Sequence, residues 1–102
     1  MIQLQEQQQF SRMVLQLLAK AFELGYEVTF GEAWNAAGVG HMPDSLHYIR
    51  LAIDLNLFRA GVWLQSTEDH RALGEWWESI GGTWGGRFKD GNHYSLAYGG
   101  RK

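Results

Sequence analysis

The chain has 102 residues, a formal net charge of −2 and a pI of about 6.0. This length fits a single domain, residues 1–102, with one modest hydrophobic core. The slightly acidic balance lacks the basic patch that attracts nucleic acid or an anionic membrane surface, so neither is expected as a partner. The sequence contains no cysteine, so any metal site must be built from histidine and carboxylate side chains.

The N-terminal segment MIQLQEQQQF has no basic start followed by an apolar stretch, which a secretory signal peptide requires. No apolar segment approaches the ~20 residues of a membrane-spanning helix. We therefore expect a protein that is made in a cytoplasm without a signal peptide and is not inserted into a membrane. If it acts elsewhere, another factor must release it.

The first predicted element is an amphipathic helix over residues 5–24, where apolar side chains recur every three or four positions and Gly25 provides the stop. Residues 26–30 alternate and contain β-type side chains, which predicts a short strand. Residues 35–43 (NAAGVGHMP) are rich in glycine and end in the only proline, which predicts a loop.

The segment LAIDLNLF, residues 51–58, predicts a central strand. Its alternation places aliphatic side chains on one face and a mixed set on the other. The members of that mixed set are Ala52, Asp54, Asn56 and Phe58. Residues 59–61 form a predicted turn, after which residues 62–64 return as a hairpin partner.

A second helix is predicted to begin at Ser66 and end at Gly81, because an acid follows Ser66 by three residues and an apolar stripe follows. The spacing of Trp76 and Trp77 within that stripe favours a core position for at least one of them. His70, in the first turns, is expected to be exposed. With a last strand over residues 93–98, the pattern predicts an α+β fold with two main helices and a small, mainly antiparallel sheet of about four strands.

Both inner strands have a polar face, and pairing them would place Asp54 and His93 side by side, with His47 arriving just before the first of them. Two histidines and one carboxylate are a common ligand set for catalytic zinc. Such a site also needs a carboxylate beside the metal to move the proton of a water molecule. Asp90, on the turn that precedes His93, suits that role.

A purely structural interpretation is also open at this point. His47 can be a helix-end or loop histidine, and Asp54 can pair with an arginine such as Arg50 or Arg59. The cost of burying an acid within a sheet without a charged partner or a metal counts against an unpaired Asp54.

Two motifs resemble a known family. The pattern Ser45-x-His47-x6-Asp54 in SLHYIRLAID is similar to the S-x-H-x6-D signature of zinc peptidases that cleave bacterial cell-wall peptides. These include D-Ala-D-Ala carboxypeptidases and the L-alanyl-D-glutamate endopeptidases of phage endolysins. The segment WGGRFKDGNHYSL, residues 84–96, resembles the downstream half of the same pattern. The resemblance implies a fold like that of the DD-peptidases and hedgehog domains.

The resemblance implies one role for each matching residue. His47, Asp54 and His93 bind Zn2+, and Asp90 acts as general base and then as general acid. Ser45 supports the first histidine through hydrogen bonds, although a cap on the following turn is an equal alternative. For Trp84, beside two glycines, a wall of the cleft and a core position are equally open.

The chain departs from the family pattern at three positions. Relatives usually have glycine at the position of Arg50, commonly an arginine near Asn35, and often a glutamate at the position of Ser95. Asn35 and Arg50 are therefore candidates for substrate binding. Arg50 can replace the missing positive charge, although a surface arginine is the favoured interpretation. These departures concern substrate choice and rate, since no metal ligand is lost.

The implied function is that of a monomeric zinc peptidase whose partner is the stem peptide of peptidoglycan. We expect an endolysin-type endopeptidase of phage or prophage origin, which reaches the wall after release from the host cytoplasm. The alternatives are a D-Ala-D-Ala carboxypeptidase, a non-catalytic metal-binding module on the same fold, or a structural phage protein without metal.

Overall fold

The computed structural model describes residues 2–31 and 51–97. Its helices and strands confirm the predicted α+β class, with two helices and a small antiparallel sheet. In chain order these elements are α1 (Ile2–Glu23), β1 (Glu27–Phe30), β2 (Ala52–Arg59), β3 (Val62–Leu64), α2 (Arg71–Ser79), β4 (Thr83–Trp84) and β5 (His93–Ser95). Two short 3-10 helices, Glu68–His70 and Gly85–Phe88, complete the described elements.

Strand β2 is the centre of the sheet, because β1, β3 and β5 all pair with it in antiparallel register. The predicted hairpin to β3 is confirmed. Ala60 and Gly61 turn the chain with φ values of 52° and 78°, which is the left-handed backbone that a two-residue hairpin favours. The sheet has one strand more than predicted, because the two residues of β4 pair with β5.

The predicted alternation of β2 is confirmed by burial. Its aliphatic side chains are almost completely buried, while Asp54, Asn56 and Phe58 on the opposite face remain partly accessible. Helix α1 covers the aliphatic side of the sheet and ends at Gly25, whose φ of 89° is the left-handed stop expected there. No helix among the described residues is long and apolar enough to cross a membrane.

Three aromatic side chains lie at the centre of the core. Trp77, Trp84 and Tyr94 are fully buried, and Trp77 packs edge-to-face on Tyr94 at a centroid distance of 6.2 Å. The Trp77 indole N–H donates to the carbonyl oxygen of Ser95 at 3.0 Å, which ties α2 to β5. This confirms a core position for one of the two adjacent tryptophans. Trp76 is half-buried against the same core.

Candidate active site

Asp54 and His93 face each other across the β2–β5 pair. They are direct register partners, and Nδ1 of His93 lies 3.4 Å from Oδ1 of Asp54. The histidine side chain is 8% exposed and the aspartate side chain 18%. The acid within the aliphatic segment therefore lies on the polar face of the sheet, where an imidazole is its immediate neighbour.

Asp90 approaches the same imidazole from the turn before β5. Its Oδ2 lies 3.9 Å from Nδ1 of His93. The backbone holds it there, because the Asp90 N–H donates to the Gly85 carbonyl at 2.8 Å and the His93 N–H donates to the Asp90 carbonyl at 3.1 Å. The Asp90 side chain is half exposed, so it is accessible to a molecule that binds at the surface.

The turn that carries Asp90 is also held by the rest of the fold. The Trp84 indole donates to the Gly91 carbonyl at 2.7 Å, and the Gly91 N–H donates to the hydroxyl of Thr67 at 3.2 Å. On the β2 side, the Leu55 N–H donates to the Asn92 carbonyl at 2.9 Å. These hydrogen bonds fix the position of Asp90 relative to Asp54.

The position of Trp84 decides between its two predicted roles. Its side chain is fully buried, so it belongs to the core and does not form an accessible wall of the cleft. Gly85 next to it is required by close packing. A Cβ there would lie 2.1 Å from the Asp90 carbonyl oxygen and 2.7 Å from the Cβ of His93.

Arg59 is not the partner of Asp54. Its guanidinium donates to the Leu24 carbonyl at 2.9 Å and lies over the ring of Tyr26, because the end of β2 is beside the end of α1. Ser95 is fully buried, and its hydroxyl donates to the Thr83 carbonyl at 3.3 Å.

The upstream half of the predicted site lies outside the described residues. This applies to the loop 35–43 and to Asn35, Ser45, His47 and Arg50. Within residues 2–31 and 51–97, no group of three or more histidine or acidic side chains is arranged to hold a metal ion.

The described part of the site fits the chemistry of zinc. Zinc in proteins takes imidazole nitrogen and carboxylate oxygen as ligands, and His93 and Asp54 supply one of each within 3.4 Å. Partial burial of a carboxylate beside an imidazole costs less when a cation offsets the negative charge, so a bound cation suits this pair.

The sequence prediction for His70 was wrong. The side chain is 1% exposed and its Nδ1 lies 2.8 Å from the hydroxyl of Tyr94. Burial lowers the pKa of His70 to about 4, against a smaller opposite effect of Asp69. Burial likewise raises the pKa of Tyr94 above its ordinary value. The predicted Ser66–Asp69 capping pair does form, with reciprocal bonds of 3.1 and 3.2 Å, but this local signal did not indicate that the next residue is buried.

A cavity of about 200 Å³ opens beside Asp90. The 3-10 helix Glu68–His70, the end of β3 and the turn that carries Asp90 surround it. Most of its lining is polar. The lining residues include Asn56, Trp63, Gln65, Thr67, His70 and Asp90. The buried His70 and the accessible Asp90 of the candidate site therefore line the same cavity.

A comparison with protein families matches residues 39–96 to the family described as D-alanyl-D-alanine carboxypeptidase. The match covers more than half of the chain and includes Asp54, Asp90 and His93. No curated protein matches the chain.

Proposed function

The chain belongs to the D-alanyl-D-alanine carboxypeptidase family of peptidases, and from that premise we propose that it is a zinc-dependent peptidase that cleaves the stem peptide of bacterial peptidoglycan. The observation that carries the proposal is the adjacency of Asp54, His93 and Asp90, with both acids within 4 Å of one imidazole nitrogen. We take residues 1–102 as a single, monomeric peptidase domain.

In this proposal Asp54 and His93 hold the zinc ion together with His47. When bound, zinc supplies Lewis acidity, which polarises a scissile carbonyl and makes a water molecule more acidic. The hydrogen-bonded turn from Gly85 to His93 keeps one ligand and the neighbouring acid in a fixed relation. Such positioning matters because displacements of about 1 Å can cost 10²-fold in rate.

Asp90 is the proposed general base. Its carboxylate accepts a proton from the attacking water and then delivers it to the leaving amine, which balances the hydrolysis of one peptide bond. The half-exposed side chain supports this role, since a group that exchanges protons with substrate must be accessible. Asn35 and Arg50 are proposed to contact the substrate, and Ser45 to support His47.

For the bond cleaved, we propose an endolysin-type cut between L-alanine and D-glutamate by a protein of phage or prophage origin. It would act on the wall after release from the cytoplasm. A carboxypeptidase would instead release terminal D-alanine. Mass spectrometry of the products from a synthetic stem pentapeptide distinguishes the two activities, because the fragments differ in composition.

The decisive experiment compares wild type with Asp90→Asn on purified peptidoglycan and on the pentapeptide, with zinc content measured on both proteins. We expect a rate loss of about 10²- to 10⁴-fold, the usual contribution of a general base. Zinc content should be unchanged, because Asp90 is not a proposed ligand.

The matched control is Glu23→Gln, which neutralises an exposed acid at the end of α1 and should leave the rate unchanged. Equal hydrolysis by wild type and Asp90→Asn contradicts the assigned mechanism. One zinc per chain without hydrolysis of either substrate supports the metal-binding module instead. Absence of zinc from the gently purified protein points to the structural alternative.

A further inference from the structure

His70 is buried, but its ring lines the cavity beside Asp90. One ring nitrogen, Nδ1, lies 2.8 Å from the Tyr94 hydroxyl. The other, Nε2, has no hydrogen-bond partner among the residues that the structure describes. Since His70 lines the cavity, Nε2 is the ring nitrogen available to a molecule that binds there.

The direction of the bond to Tyr94 follows from the burial of both groups. Within the described part of the chain, Nδ1 is the only hydrogen-bond partner of the Tyr94 hydroxyl. A buried O–H without an acceptor costs about 1–3 kcal/mol, so the tyrosine donates and Nδ1 accepts. A neutral imidazole that accepts at Nδ1 carries its proton on Nε2.

His70 stays neutral near pH 7, because burial keeps its pKa near 4. The cavity thus contains a fixed, uncharged N–H donor. An N–H donor at an open cavity pairs with water or with an acceptor of a bound molecule, and a carbonyl oxygen is the acceptor that a peptide offers. The cavity is also lined by the neutral side chains of Asn56, Gln65 and Thr67 and by the charged residues Lys89 and Asp90.

We propose that this cavity is a subsite for the wall peptide, in which Nε2–H of His70 donates a hydrogen bond to a peptide carbonyl oxygen. The inference rests on the proposed peptidase function and extends it to a substrate-binding residue. Asp90 lines the same cavity, so a peptide whose scissile bond lies at Asp90 extends directly into it. At about 200 Å³ the cavity is below the size of sites for drug-sized ligands, which suits a short segment of peptide.

Two substitutions of His70 distinguish the contribution of Nδ1 from that of Nε2. The side-chain amide of asparagine can replace Nδ1 and keep the bond to Tyr94, but it leaves nothing at the position of Nε2. Glutamine places its amide N–H near the position of Nε2. We expect His70→Asn to raise KM for the pentapeptide about 3- to 10-fold, as expected for one lost hydrogen bond. Its kcat should change little, and His70→Gln should restore much of the KM.

Because either variant can fold poorly, the wild-type protein provides an independent measurement. Long-range 1H–15N NMR reads the tautomer of His70 directly, and we expect a proton on Nε2 and a bare Nδ1. Addition of the pentapeptide to a variant inactivated by Asp90→Asn should then shift the Nε2 resonance.

The outcomes distinguish the two proposals. A proton on Nδ1 overturns the subsite without affecting the peptidase assignment. Peptide-induced shifts at the turn 89–92 that leave the His70 ring unmoved also overturn the subsite alone. No shift anywhere in the protein, together with no hydrolysis by wild type, overturns both.

Discussion

At the scale of single residues, His70 and His93 are both buried, but their neighbours differ. His93 lies within 4 Å of two carboxylates, whereas His70 packs on the neutral phenol of Tyr94 and follows Asp69 in the chain. Burial beside a neutral group disfavours the charged form of His70, and Asp69 opposes this effect only in part. A histidine next to two acids offers a nitrogen ligand beside carboxylate ligands, so the surroundings of His93 suit a cation and those of His70 suit neutral hydrogen bonding.

His70 should make stability dependent on pH. Its folded pKa of about 4 lies below the ordinary value near 6.5, so the unfolded chain binds the extra proton first as the pH falls. The contribution of His70 to the free energy of unfolding is therefore fully present above pH 6.5 and is lost as the pH falls to 4. We expect the free energy of unfolding of metal-free protein to fall by roughly 2–3 kcal/mol between pH 7.5 and pH 4.5 from this group.

Urea unfolding of chelated wild type and His70→Gln at both pH values measures this contribution. The difference in stability between the two proteins should shrink as the pH is lowered, because glutamine does not titrate. The titratable groups next to the imidazole, Asp69 and Tyr94, are the same in wild type and in His70→Gln. A difference that is constant with pH would contradict the assignment of the decline to His70.

At the scale of elements, the turn from Gly85 to His93 depends on Trp84, a fully buried residue of the core. Trp84 holds the Gly91 carbonyl, and the ring of Trp84 in turn lies against Gly74 of α2, where a Cβ would lie 2.2 Å from the ring. A glycine within a helix costs about 1 kcal/mol relative to alanine. Here it permits the approach of the helix to β4.

Gly74→Ala should therefore destabilise the protein despite the better helix propensity of alanine. Overpacking of a buried site costs about 1–3 kcal/mol, and here the neighbour is a rigid, fully buried ring. We expect lower stability in urea unfolding and a lower rate on the pentapeptide, since a displaced Trp84 loosens the turn that carries Asp90. Gln8→Ala, at an exposed position of α1, is the control and should change stability by less than ~0.5 kcal/mol. Equal stability of Gly74→Ala and wild type would contradict this prediction, because it would mean that α2 can move away from β4 without a loss in the free energy of unfolding.

At the scale of the whole molecule, β2 links the core to the site, because one face packs on α1 and the other carries Asp54. Asp54 and Asp90 both approach one imidazole, and two carboxylates at close range repel each other without a cation. Metal that binds only the native state therefore stabilises the whole fold.

Zinc should raise the melting temperature of chelated protein. Saturation at 100 times the dissociation constant contributes about 2.7 kcal/mol, which corresponds to a rise of roughly 10–20 °C for a domain of this size. Differential scanning fluorimetry with and without zinc measures the rise, and Asp54→Asn should lose most of it. Identical melting curves with zinc and with chelator would count against a bound ion.

The sequence by itself determined the features that depend on neighbours along the chain. The alternation of LAIDLNLF separates Asp54 from the aliphatic face because side chains of a strand alternate. The hairpin at residues 60–61 and the helix stop at Gly25 follow from local backbone preferences, and all three are confirmed. The resemblance of SLHYIRLAID and WGGRFKDGNHYSL to one family likewise needs only the order and spacing of residues.

Only the tertiary structure decided what segments distant in the chain do to one another. His70 has the polar neighbours of an exposed residue, yet the Tyr94 ring from another element buries it. Trp84 became a core residue because α2 approaches it at Gly74. Burial and the direction of a hydrogen bond depend on groups brought together by the fold, so local sequence could not determine the cavity, the tautomer of its histidine or the support of Asp90.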